Sequence, residues 1–496
     1  MLFRSRLLVH ERVAEQLFAK IRTRLENLRV GSPLDKAVDM GAIVDPHQLK
    51  RITDYVAKGV EEGATCWQPS YSLPSKGLFF PPTLLTNVQT SSTVVQEEIF
   101  GPVLVAMTFR TPAEAVELAN NTIYGLASTV FSENINVALD VASQIKAGVC
   151  WVNGANMFDA SCGFGGYRES GYGREGGREG MYEYLVPNWL HHGKGKKVVT
   201  PPANGAAAVT NGASSPIPID RTIKQYIGGK QARPDSGYSY PVYALDGKLV
   251  GEAPLGNRKD IRNAVEAARA AGKWAKQSAH NRAQVLFYIA ENMIQRRDEL
   301  VAKLAVLVGD DQAGIEVDYS IERIFAYAGW ADKYEGVVHN PPGRNVTLAM
   351  NEPVGTIGIL APEESPLLGL LSLVLPAIAM GNTVIAVPSE RYATVMADLY
   401  SIFDTSDLPG GVVNIVAGRA AEIGKTLADH DDVDAIWSFR DEAAATMVKL
   451  ASIGNMKQTW TNDGYAIDWY DTQQAEGRYF LRHATQVKNI WVPYGE

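Results

Sequence analysis

Two adjacent carboxylates, Glu97 and Glu98, run directly into Ile99-Phe100-Gly101-Pro102. A glycine–proline pair fixes a sharp bend, and a bend there aims Glu98 and Phe100 at one place. A carboxylate held that way accepts hydrogen bonds from ligand hydroxyls, while an aromatic ring covers an apolar plane beside it. The competing reading is a strand start with solvated acids, and these residues alone do not choose between the two. The chain also carries three cysteines, Cys66, Cys150 and Cys162. Only a thiolate is a strong nucleophile, so each needs a base or a cation nearby. Cys150 lies in an apolar run and reads as core. Cys66 sits in a loop without a base. Cys162 precedes Phe164, with no lysine or histidine placed to lower its pKa. No spacing of His, Cys, Asp or Glu reads as a metal site, and His191-His192 stands in a polar tract. Gly171-Tyr172-Gly173-Arg174-Glu175-Gly176 formally spells G-x-G-x-x-G. It follows Tyr167-Arg168-Glu169-Ser170 where a hydrophobic strand should lead in, so it is expected to bind no dinucleotide.

These residues need elements to position them. At 496 residues, 46% apolar and 21% charged, the chain is long enough for several buried cores. A net charge of -8 argues against nucleic acid or an anionic membrane as a main partner. Three cysteines make no disulfide framework and suit a reducing compartment, so the cytoplasm is the expected location. The apolar run from Leu367 to Val387 imitates a membrane span. Pro376, Gly381 and Asn382 interrupt it, which predicts a buried helix ending near Met380 and a strand Thr383–Val387. Helical spacing of apolar residues covers 13–28, 47–61 and 112–120, with β-rich runs at 103–109, 128–131 and 148–152. Residues 191–221, rich in Gly, Lys, Ala, Pro and Ser, cannot bury a core and read as a flexible linker. Beyond it come hairpin signals at 226–230 and 241–252, helices over 258–271 and 282–307, and strand–helix alternation from Gly355 to Ala435. That alternation is the order of a parallel sheet.

Several motifs now join. Glu97-Glu98-Ile99-Phe100-Gly101-Pro102, Asn121-Thr122 with Tyr124-Gly125-Leu126-Ala127, Gly148 to Asn153, and Phe164-Gly165-Gly166-Tyr167-Arg168-Glu169-Ser170-Gly171 together resemble the catalytic half of an aldehyde dehydrogenase. The likeness spans nearly all of residues 3–190. In the second module, Tyr226-Ile227-Gly228-Gly229-Lys230, Pro353-Val354-Gly355, Gly381-Asn382-Thr383-Val384 and Pro409 to Val416 resemble the cofactor-binding half of the same superfamily, and Thr485-Gln486-Val487-Lys488 its oligomerisation strand. Two modules, the second degenerate, are similar to family 16 of the aldehyde dehydrogenases. The expected fold is α/β, a catalytic-type half followed by a linker and a Rossmann-like parallel-sheet half. The expected division is a catalytic-domain-like half over 1–150, the end of the first module over 151–190, the linker over 191–221, the degenerate cofactor-type half over 222–470 and an oligomerisation-type strand over 471–496.

The resemblance implies roles residue by residue. Glu98 matches the carboxylate on the nicotinamide ribose, and Phe100 the ring beside it; Phe158 and Phe164 match aromatics of the substrate funnel, against a plain-core alternative. The nucleophile's place falls on Met1, which suggests an incomplete or processed chain. In the second module the oxyanion asparagine becomes Glu364, where a carboxylate repels developing negative charge. Losing even one such donor costs about 3 kcal/mol. The lysine that holds the adenosine ribose becomes Val387, and the glycine–serine pair at the pyrophosphate becomes Arg440-Asp441, with Asp441 opposing phosphate and Arg440 offsetting part of that. The general base becomes Asn462. No catalytic residue is therefore assigned. The family reaction is oxidation of a small aldehyde to a carboxylic acid with NAD or NADP. This chain is expected to be incomplete or inactive alone, the alternative being a non-catalytic scaffold. Its expected partners are a homo-oligomer or another protein, with no nucleic acid and no membrane.

Overall fold

Capping chemistry sets the helix starts of the first module. Asp45 accepts from the Gln48 amide at 2.9 Å, with Pro46 opening the helix Pro46–Glu61. Thr111 and Pro112 repeat the device at Pro112–Asn120. The computed structural model describes residues 6–192, 196–198, 210–211 and 222–494. They divide into two compact units: Met1–Gly180 with Val338–Ala349 and Lys488–Glu496, and Met181–Val337 with Met350–Val487.

Two sheets fall wholly or largely within the first unit. One has four strands in the order Arg6–His10, Val103–Phe109, Thr83–Thr86, Thr65–Trp67, parallel except at the last pair. Ile52 and Val56 of the helix Pro46–Glu61 pack with Leu85 and Val105 of these strands. The other has five strands in the order Val337–His339, Asn345–Pro353, Thr485–Pro493, Val149–Val152, Ala127–Val130. Strands from both sequence modules therefore share this sheet. Asn489, Ile490 and Trp491 pair in parallel with Val149, Cys150 and Trp151. The period of two sends Cys150 and Val152 into one cluster with Ile490, and Val149 and Trp151 into another with Cys162 and Trp491.

The second unit is built on a seven-stranded sheet ordered Gln458–Thr461, Ala435–Ser438, Thr356–Leu360, Thr383–Val387, Val413–Ile415, Gln225–Ile227, Lys230–Ala232. Its first five strands are parallel. Both faces are covered, and alternate residues feed the two cores. Ile357, Ile359, Val384 and Ala386 join the side with the helix Leu368–Ala379, while Leu360, Ile385 and Val387 join the side with Arg258–Ala270 and Ala420–Asp429. The apolar run 367–387 is the expected buried helix and strand. Among the described residues no helix is long and apolar enough to cross a membrane.

Two expectations change. The helix over 282–307 is two, Ala279–Gln295 and Arg297–Val308, broken at Arg296. The Arg296 side chain reaches Glu299 at 3.0 Å and Asp398, on the helix Met396–Asp404, at 3.7 Å. Part of the linker is not free either. Val198 N–H donates to the Gly464 carbonyl at 2.7 Å, and Ala466 N–H to the Lys196 carbonyl at 2.9 Å. Other linker residues, 193–195, 199–209 and 212–221, lie outside the described set.

Candidate functional site

The segment carrying Glu98 and Phe100 is anchored from behind. Ile99 is fully buried among Ile52, Val94 and Val103. Gln48 Nε2 donates to the carbonyls of Ile99 and Phe100, each at 3.0 Å, and Arg51 to that of Glu98 at 3.3 Å. Tyr55 donates to the Glu97 carboxylate. Glycine is required at 101 because a Cβ there would lie 2.6 Å from the buried Ile52 side chain. The bend itself falls one residue before the expected glycine–proline pair: Phe100 takes φ +56°. A left-handed backbone costs a bulky L-residue about 1–3 kcal/mol. Phe100 is 52% exposed and recovers little of that by burial. Among the described residues the half-buried Glu98 carboxylate has no hydrogen-bond or ion-pair partner. Position, strain and exposure together describe a carboxylate and a ring held ready for something outside the core.

Phe158 and Phe164 meet edge to face at 5.2 Å, and Phe158 meets the buried Trp151 at 5.6 Å. Phe158 is exposed, so the plain-core alternative does not describe it; Phe164 is partly buried. The Trp151 indole donates to the Met157 carbonyl at 2.9 Å, tying down the loop that presents Phe158. Cys162 is buried with Val149, Trp151 and Trp491 in a cluster that Phe164 packs against, its Sγ 3.7 Å from the Ser161 hydroxyl. Burial pushes the Cys150 thiol up to about 11, which keeps it protonated. Cys66 is exposed on the short strand Thr65–Trp67. Met1 lies outside the described residues. Gly171-to-Gly176 forms a loop with no strand leading into it, as expected, and Glu175 pairs with the Phe164 backbone instead.

In the second unit, Glu363, Glu364, Glu390, Arg440 and Asn462 all follow the C-terminal ends of parallel strands, where open α/β sheets bind ligands. Arg440 lies buried there with 4% of its surface exposed. Its Nη1 donates to Glu363 Oε1 at 2.5 Å, and its Nη2 to the Pro388 carbonyl at 2.8 Å. Glu363 also accepts from the Ser389 hydroxyl at 2.5 Å and from the Glu390 amide at 3.1 Å. Glu390 in turn accepts from Arg419 at 3.1 Å and from the Ala420 amide at 2.8 Å. Asp441 caps the helix Glu442–Ala451 by accepting from the Ala444 amide at 2.9 Å. Val387 is fully buried. Burial raises the Glu364 carboxyl above the usual range. Asn462 spends its Nδ2 on the Tyr465 carbonyl, which closes its own loop.

A dinucleotide does not fit these strand ends. A guanidinium paired to two carboxylates stands in the crevice, and the helix N-terminus that would receive a phosphate is capped by Asp441. The Arg440 guanidinium is bound to Glu363 and to the Pro388 carbonyl. Glu363 was not among the residues that the sequence pattern points to; Glu364 was. The available signal was a new acid and a new arginine on two loops of one crevice. Among the described residues no group of three His, Cys, Asp or Glu is placed to hold a metal ion.

A sequence model of the aldehyde dehydrogenase family matches residues 3–190 and 235–461, well over half the chain. The chain belongs to the aldehyde dehydrogenase family. It is 42% identical over 181 residues to an aldehyde dehydrogenase of Enchytraeus buchholzi, covering 36% of each chain. Over 184 residues it is 38% identical to a betaine aldehyde dehydrogenase of Brucella anthropi, covering 36% of this chain and 38% of that one. The chain thus spans little more than a third of the length of these curated relatives. A solved NAD-dependent aldehyde dehydrogenase from Sinorhizobium meliloti superposes with a TM-score of 0.47 at 28% identity, over 50% of this chain and 52% of that one. Within this family member, Phe100 and Phe158 are exposed in the first unit, while Arg440 and Glu363 are buried together at the strand ends of the second.

Proposed function

We propose that the chain is an aldehyde dehydrogenase of the family 16 type, in which the first module carries the surfaces for NAD or NADP and a small aldehyde and the second module is structural. Glu98 would accept from nicotinamide-ribose hydroxyls and Phe100 would cover the adjoining apolar plane. Phe158 and Phe164 would line the approach of an apolar aldehyde. The cofactor's chemistry is hydride acceptance from the oxidised carbon. The observation that carries the reading for the second module is the buried Arg440–Glu363 pair at the strand ends, together with the Asp441 cap.

The polypeptide by itself is expected not to oxidise aldehydes. Of its three cysteines, one is fully buried and held protonated, one is buried in the cluster with Trp151 and Trp491, and one is exposed on a short edge strand. For Cys150 burial outweighs the nearby Lys488 charge and Ser128 hydroxyl, and among the described residues no hydrogen-bonded base is recorded for Cys66 or Cys162. The scaffold reading is favoured for the second module, whose strand pairs within the first unit's sheet. Assembly with further copies or with another protein in the cytoplasm belongs to the same proposal. Mixing the purified chain with NAD or NADP and a panel of short aldehydes, while following nicotinamide absorbance, tests this. Robust turnover would refute inactivity, and dinucleotide binding lost on Arg440 substitution but kept on Glu98→Gln would refute the division of labour.

A further inference from the structure

The loop after the strand Gln458–Thr461 carries two successive left-handed residues, Asp463 at φ +52° and Gly464 at φ +76°. Their carbonyls turn outward as a result, and both are taken by one short stretch of the linker. Val198 N–H donates to the Gly464 carbonyl at 2.7 Å, and Ala466 N–H returns to the Lys196 carbonyl at 2.9 Å. Lys197 and Tyr465 form the antiparallel bridge between those bonds. The Lys197 ammonium meets three different acceptors. It pairs with Glu442 at 2.9 Å, donates to the Asp463 carbonyl at 3.2 Å, and stands 4.5 Å over the Tyr465 ring. The Asp463 carboxylate is engaged elsewhere, by Lys449 and by the Thr461 hydroxyl at 2.9 Å, so Glu442 supplies the opposing charge.

We propose that this edge, residues 463–466 with Glu442, is a docking site for an extended lysine-bearing peptide, filled in cis by residues 196–198. Main-chain bonds give such strand addition its affinity, and a side-chain pocket gives it selectivity. A compact ammonium with three donors satisfies a carboxylate, a carbonyl and a ring face together; a planar guanidinium fork does not match that arrangement. The strap lies on the loop that bears Asn462, so the second module's own linker covers the edge of its filled crevice. Lys197 is 42% exposed, which leaves its ammonium open to neutralising modification.

Hydrogen–deuterium exchange on the full chain tests this. The backbone amides within 196–198 and 463–467 are expected to exchange about tenfold or more slowly than those of free peptides of the same sequences. Val198→Pro removes one donor and is expected to release both segments while the thermal midpoint stays unchanged. Lys197→Gln is expected to release them partly, and Lys197→Arg less. Adding the peptide Lys-Gly-Lys-Lys-Val-Val-Thr at millimolar concentration to the Val198→Pro chain should restore protection at 463–467. Free-peptide rates in the native chain, unchanged protection in Lys197→Gln, or no restoration by the peptide would each overturn the proposal.

Discussion

Arg440 places a guanidinium where 4% of its surface meets solvent, so its partners decide what that burial costs. Taking an ion out of water costs several kcal/mol, and a buried pair recovers this only while both members are present. Arg440→Met is therefore expected to destabilise the second unit by about 3–5 kcal/mol, because Glu363 is left buried without its countercharge. Glu363→Gln in the same chain should return most of that loss, since the amide still accepts from Ser389 and carries no charge. Urea unfolding of the single and double variants measures it, and a double variant no more stable than Arg440→Met would show that the pair is uncoupled. At this scale the sequence was legible wherever a motif fixed the residue. Glu98, Phe100, Phe158 and Phe164 could be named as candidates because their neighbouring motifs single them out. Glu363 could not, because its importance lies in a guanidinium 77 positions away.

Elements were legible where local chemistry marks their ends. Asp45-Pro46 and Thr111-Pro112 announce helix starts, and Gly381 ends the buried helix after Met380. The break at Arg296 carries no glycine or proline and leaves the apolar period intact, so only the pull of Glu299 and Asp398 reveals it. The short helix Arg478–His483 shows what local pattern hides. Its final histidine stacks on Trp460 at 4.0 Å with the rings 9° from parallel, and Tyr479 closes the edge at 4.8 Å. Among the described residues His483 Nε2 is sealed from solvent without a hydrogen-bond partner. Burial, then the neighbouring Arg482 charge, lowers its pKa from 6.5 to about 3. The unfolded chain therefore binds a proton that the folded chain excludes between those two values. Stability from this site is complete above pH 6.5 and is lost as pH falls toward about 3. The slope through that window is at most about 1.4 kcal/mol per pH unit. His483→Phe should flatten it, read as the urea midpoint against pH. An unchanged slope would place the titration elsewhere.

At the scale of the whole molecule, composition marks a break at 191–221, yet the first compact unit also takes in Val338–Ala349 and Lys488–Glu496. Nothing local in Asn489-Ile490-Trp491 names its neighbour; the pairing with Val149, Cys150 and Trp151 spans more than three hundred residues and depends on tertiary packing. Its consequence is testable by truncation. A chain ending at residue 190 keeps every first-module motif but uncovers one edge of Val149–Val152, a strand buried at all four positions. It also removes Ile490 and Trp491, which are 1% and 3% exposed and complete the clusters on the two faces of that strand. Burying side chains of that size stabilises by about 2–3 kcal/mol each. An apolar strand with an open edge pairs with whatever strand it meets. The fragment is therefore expected to self-associate, seen as multimers or aggregates by light scattering. The peptide Thr-Gln-Val-Lys-Asn-Ile-Trp-Val-Pro, supplied in trans, should shift it toward monomer by occupying the open edge. A fragment that stays monomeric and fully folded without the peptide would show that the shared sheet is dispensable to the first module, and the pairing of the two modules would then need another physical cause.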